Sequence, residues 1–152
     1  MAEPRRVRIR FPAENEAVES EGIWVEHVRD DLFRVLNIPF FAFGVALDDV
    51  IVAEWSAEND EPQFVRVDSH SGNSTYRILV RPDADQSSAE RGWQKLEALG
   101  CGREIGTSER YWAIHAPRTV DRAALDAVLE EGIGARTWWV EDGHVHLPEA
   151  EA

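Results

Sequence analysis

The hydrophobic period of this chain changes once, at Thr75, and that change limits what it can fold into. Before Thr75 the apolar residues alternate with polar ones or fall in short β-branched and aromatic runs. Between Arg5 and Phe11, the residues Val7, Ile9 and Phe11 alternate with arginines, the pattern of a half-buried strand. ENEAVESE (14–21) reads as a loop. GIWVEHV (22–28), LFRVLNIPFFAFGV (32–45), VIVAEW (50–55) and QFVRVDS (63–69) read as further strands, with Pro39 forcing an edge, bulge or bend because it cannot donate to a ladder. Asp48-Asp49 fits a tight turn. Five closely spaced strands without a helix signal predict a small antiparallel barrel or a strongly bent sheet.

After Thr75 helical periodicity appears. YRILVRP is a strand. SSAERGWQKLEALG (87–100) is a helix, with Ser87 and Glu90 spaced as a capping box, Gly100 at its end, and Ala89, Trp93, Leu96 and Leu99 on one stripe. Gly102–Thr107 and Arg110–Ala116 form a hairpin. Thr119 or Asp121 caps a second helix running through Glu131 and ended by Gly132. ARTWWVED and HVHLP make a final strand pair. The expected architecture is α+β: a small antiparallel β-barrel-like N-terminal half (residues 1–75) packed on a ferredoxin-like βαββαβ C-terminal half (residues 76–152). No linker separates the halves, so they are expected to pack as one compact unit.

With 152 residues, such a chain buries about 70% of the surface its unfolded form exposes, enough for a core without staples. Its single cysteine, Cys101, excludes an internal disulfide and, behind a helix C-terminus, is not activated. No apolar run is long enough to span a membrane, and the N-terminus lacks the apolar core of a secretory signal, so the expected location is the cytoplasm. The net charge is −13, and Lys95 is the one lysine. Nucleic-acid binding needs clustered cations, and the one basic run, Arg5 to Arg10, reads as a solvated strand face. An acidic surface favours a basic protein as partner.

LNIPFFAFGVALDDVIVAE, followed about twenty residues later by SGNSTYRI, resembles the bacterial family of uncharacterised proteins called DUF4265, as does ERYWAIHAPRTVDRAALDAVLEEG further on. The resemblance runs from about Ile9 to Val145. A glycine is expected near Asp48, where this chain has Asp-Asp. The resemblance implies a bacterial protein and brings no activity with it, so function rests on the residues.

The polar knot SHSGNST (69–75) has three readings. His70 and Ser71 could form a nucleophile and base, but strand neighbours point to opposite faces and no nucleophile-elbow motif surrounds them. The backbone N–H groups could cradle an anion. Otherwise Gly72-Asn73 makes a turn or bulge closed by the hydroxyls. His144 and His146, two apart in a strand, could share a metal but lack a third ligand. Asp48 and Asp49 diverge as neighbours in a turn. Trp138 and Trp139 face opposite sides of a strand, as do Phe40 and Phe41, so aromatic surface is exposed unless the other half covers it. No cofactor fingerprint is present.

Two functions therefore compete. One is a non-enzymatic, acidic interaction module of inhibitor or immunity type, directed at a basic protein. The other is a small ligand-binding protein or enzyme with a site in the crevice between the halves, lined by Asn37, Asp49, His70, Ser71, Asn73 and Arg77.

Overall fold

The computed structural model describes residues 6–15, 18–58 and 60–147. Where side chains alternate, strands form: β1 (Arg6–Asn15), β2 (Val18–Arg29), β3 (Leu32–Val35), β4 (Val50–Ser56) and β5 (Glu61–Ser69). Their ladders run in chain order and are antiparallel, and β1 meets β5 in parallel at Arg10 and Gln63, so the sheet closes on itself. The inward set is Ile9, Phe11, Ile23, Val25, Val35, Ile51 and Ala53, with Phe64 stacked on Phe11 at 4.7 Å between ring centroids. Burying each large aliphatic or aromatic side chain contributes roughly 1.5–3 kcal/mol.

The second half runs β6 (Ser74–Val80), α1 (Gln86–Ala98), β7 (Gly102–Ile105), β8 (Tyr111–Ala116), α2 (Arg122–Gly134) and β9 (Trp138–His144). Its four-stranded antiparallel sheet has the order β7-β8-β6-β9. Both helices cover one face. Tyr76, Ile78 and Val80 of β6 meet Ala89, Trp93 and Leu96 of α1, Leu125 and Leu129 of α2, and the indoles of Trp112 and Trp138. The molecule is thus mixed α+β, with mostly antiparallel sheets and two helices, and no helix among the described residues is long and apolar enough to cross a membrane.

Several local expectations are corrected. The strand expected over 32–45 stops at Val35, and residues 36–49 form an irregular strap. Pro39 has no N–H, and the next three N–H groups, of Phe40, Phe41 and Ala42, all donate to the Glu21 carboxylate (2.7, 2.9 and 3.0 Å) instead of to a strand. ENEAVESE is no loop throughout, since β2 begins at Val18. The cap of α1 is Asp85, which accepts from the Ser87 N–H, while Glu90 leaves the expected capping box to bond Arg103. Asp121 caps α2, which continues past Gly132 to Gly134. HVHLP forms no separate strand: β9 ends at His144, and the tail is held by a bond from the His146 N–H to Ser74 Oγ (2.9 Å).

Candidate functional site

β6 is buried on both faces, and only Leu79 is exposed along it. The helices cover one face, and the strap from β3 to β4 covers the other. Residues of β6 reach up and hold that strap. Thr75 donates to the Val45 carbonyl (3.2 Å). Arg77, 1% exposed, donates to the Ala42 carbonyl (3.0 Å), pairs with Glu141 (3.1 Å) and lies 4.9 Å from the centroid of the Phe43 ring. Gly143 makes room for this guanidinium: a Cβ there would overlap Arg77 Nη1. Tyr111 donates to the Phe40 carbonyl (2.7 Å).

The polar knot is the second clasp. Gly72 adopts φ +93°, a left-handed conformation that glycine tolerates and L side chains rarely adopt. That turn folds the segment 70–73 back onto the strap. Asp49, fully buried, accepts from the Ser71 N–H (2.8 Å), the Ser71 hydroxyl (2.9 Å), the Ala46 N–H (2.9 Å) and His70 Nδ1 (3.1 Å). Asn73 donates to the Leu47 carbonyl (3.0 Å) and accepts from the Arg118 N–H (2.9 Å). Four donors on one buried carboxylate satisfy a group that would otherwise be costly to desolvate.

His70 is where the clasp meets open space. Its side chain is 38% exposed, and its ring stacks on His144 at 4.5 Å and 7° between planes, with His146 at 6.4 Å. Burial lowers the pKa of His144, and the neighbouring His70 and His146 imidazoles lower it further, against a raising influence from Asp49. The contact with the Asp49 carboxylate, an acceptor, makes Nδ1 of His70 the donor and fixes the ring's orientation. No group of three or more His, Cys, Asp or Glu side chains that could hold a metal occurs among the described residues. In particular His144 and His146, whose ring centroids lie 6.3 Å apart, gain no third ligand.

Beside His70 opens a cleft of about 570 Å³ between the knot and the turn that leads into α2. Its walls carry Arg118, Arg122, His70 and His146, with hydroxyls from Ser71, Ser74 and Thr119 and no carboxylate among the described residues. Arg122 is fixed by bonds to the Tyr76 hydroxyl (3.2 Å) and the His146 carbonyl (2.7 Å). The Arg118 side chain packs over Gly72. In a chain of net charge −13, this is a local reversal of sign. The start of α2 borders the same cleft, with its N-terminus capped by the Asp121 carboxylate.

The family model for DUF4265, a domain of unknown function, matches residues 21–140. The chain is a member of the DUF4265 family. The matched span holds the Glu21 carboxylate, the strap, the knot, Arg77, Arg118 and Arg122. A comparison with curated proteins found no match. Among solved structures, this DUF4265 chain is similar to a hypothetical protein from Neisseria gonorrhoeae, at a TM-score of 0.78 and 17% identity, over 97% of this chain and 99% of that one. At that identity the likeness concerns the fold alone.

Of the six residues expected to line a crevice, four come together: Asp49, His70, Ser71 and Asn73. Only His70 and Ser71 of these border the cleft. Asn37 sits apart and accepts from the Trp24 N–H (2.9 Å), which ties the strap to β2. Arg77 lies beneath the strap, away from the cleft. Arg118, Arg122 and Glu21 were not among the sequence candidates. Nothing local in APRTVDR or SEGIW distinguishes them from solvated surface charge.

Proposed function

We propose that this DUF4265 protein binds a small anionic ligand, one bearing a carboxylate or phosphate group, in the cleft between the knot and the turn before α2. The observation that carries the reading is the lining: two arginines and two histidines, with no carboxylate among the described residues, on a strongly acidic chain. Guanidinium groups match planar oxyanions, and hydroxyls add neutral donors. His70, oriented by Asp49, presents a fixed imidazole edge to the cleft. No hydroxyl or thiol is hydrogen-bonded to His70 among the described residues, so the arrangement favours binding over nucleophilic catalysis. Thermal unfolding at matched ionic strength tests this. Phosphate or small dicarboxylates should stabilise the protein progressively over chloride, and Arg118→Ala should abolish the gain. Equal melting temperatures in all anions would contradict it.

The same proposal includes the finer description of the fold. We read the closed five-stranded sheet as a small barrel. We read the second half as ferredoxin-like, supported by the strand order β7-β8-β6-β9 with both helices on one face.

A second reading is an acidic module of inhibitor or immunity type that meets a basic protein. It is supported by the −13 charge and by large aromatics left open to solvent, Trp55 at 63% exposure above all. Binding to a basic partner should weaken steeply between low and high salt.

A further inference from the structure

A second concavity, of about 460 Å³, lies near the other end of β6, where Tyr111 pairs with Leu79. About five residues of extended chain, roughly 16 Å, separate it from Ser74 at the anion cleft, so one small ligand does not span both. Its walls include Phe40 and Phe41 of the strap and Tyr111 of β8, with Glu141 of β9 as the one charged group among the described lining residues. Phe41 and Tyr111 are nearly parallel, 17° apart with centroids at 5.7 Å, and Phe40 leans on Tyr111 at 5.9 Å. The rings are held before any ligand arrives: Glu21 takes the Phe40 and Phe41 N–H groups, and the Tyr111 hydroxyl is tied to the Phe40 carbonyl. Walls fixed in advance lower the ordering cost of binding.

We propose that this aromatic pocket receives the cationic side chain, guanidinium or ammonium, of a basic partner protein. The proposal rests on the second functional reading and names its docking point. Aromatic faces carry negative quadrupole charge and attract cations. Glu141 uses Oε1 on Arg77 and, half-exposed at 53%, offers Oε2 at the rim. Arg77 lies behind the pocket, its Nε on Glu141 and its Nη1 on the Ala42 carbonyl, so an incoming cation shares the Glu141 carboxylate with it and relies on the ring faces for the rest. The long-range field of a −13 protein points the same way.

The test uses the full chain and an acetylated hexapeptide of alternating glycine and arginine, titrated at low salt and followed by NMR. Three comparisons accompany it: the same peptide with citrulline, which is neutral and nearly isosteric, acetyl-arginine amide alone, and two protein variants. Expected is saturable binding of the arginine peptide with shifts at Gly106, Thr107 and Tyr111, and none for the citrulline peptide. Phe41→Leu, which keeps an apolar wall but removes the π face, should weaken binding about tenfold. Glu97→Gln, on the exposed face of α1, should leave it within about twofold. Wild-type affinity in folded Phe41→Leu, or equal binding of the citrulline peptide, would overturn the pocket while leaving the basic-partner reading intact. Acetyl-arginine amide binding as tightly as the peptide would overturn a protein source for the cation. Failure of the arginine peptide to bind at all would sink the pocket and the basic-partner reading together, leaving the anion cleft unaffected.

Discussion

Asp49 accepts both the backbone N–H and the hydroxyl of Ser71, at 2.8 and 2.9 Å, across 22 residues of sequence. This contact closes the strap over the sheet and sets His70 at the mouth of the cleft. Removing the carboxylate strands the Ser71 and Ala46 N–H groups, whereas the Ser71 hydroxyl keeps the Leu47 carbonyl (2.9 Å) and His70 can turn to solvent. Asp49→Ala should therefore cost about 3 kcal/mol in urea-induced unfolding. Asp49→Asn keeps one acceptor oxygen and should cost less. A loss below about 1 kcal/mol for the alanine variant would show that the clasp carries no stability.

The helices meet over one indole. A Cβ on Gly132 of α2 or on Gly92 of α1 would overlap the Trp138 ring. Gly132→Ala should destabilise by about 2 kcal/mol, despite a helix-propensity gain of about 1 kcal/mol, because the overpacking is met by a rigid ring in a filled core. Calorimetric melting reads the sign directly.

Much of the strand and helix pattern was legible because alternation and the 3.6-residue stripe are local signals. Trp93 and Leu96 of α1 and Ile9 and Phe11 of β1 fall inward as their spacing requires. The strap reads as strand in sequence because Phe40, Phe41 and Phe43 favour strands, whereas its hydrogen bonds go to Glu21, an ion on another element. The clasp was half legible. The sequence suggests a Gly-Asn turn closed by hydroxyls and groups Asp49 with His70, Ser71 and Asn73, but as lining of a crevice or half of an Asp-Asp turn and not as the buried acceptor that holds the knot. Asp48 does take that exposed, left-handed turn position at φ 68°, while Asp49 is buried beside it. The cleft was not legible, since Arg118 and Arg122 acquire their meaning only when α2 is placed against the knot.

Acid should weaken the fold through two histidines. Burial is the leading cause lowering the pKa of both His144 and His115 from the ordinary 6.5. Each is neutral in the folded protein at pH values where the unfolded chain already binds a proton. Their contribution is thus complete above about pH 6.5 and is lost as pH falls through the lower folded values. Unfolding free energy should drop between pH 7 and 5.5, and His144→Gln should flatten that slope. An unchanged slope in both His144→Gln and His115→Gln would contradict this.

Cys101 should be inert. Burial raises its thiol pKa to about 11, so little thiolate exists near neutral pH. Reaction with a disulfide reagent at pH 8 should be slow in the native protein and fast in denaturant. Rapid native labelling would show that the segment after α1 opens readily.

The central claim is that the cleft beside His70 holds an anion, and amide NMR with inorganic phosphate or succinate at matched ionic strength tests it most directly. Saturable shifts clustered at Ser71, Gly72, Arg118 and Thr119, absent in Arg118→Ala, are the predicted result. Shifts elsewhere, or none at these four residues with either anion, would contradict it.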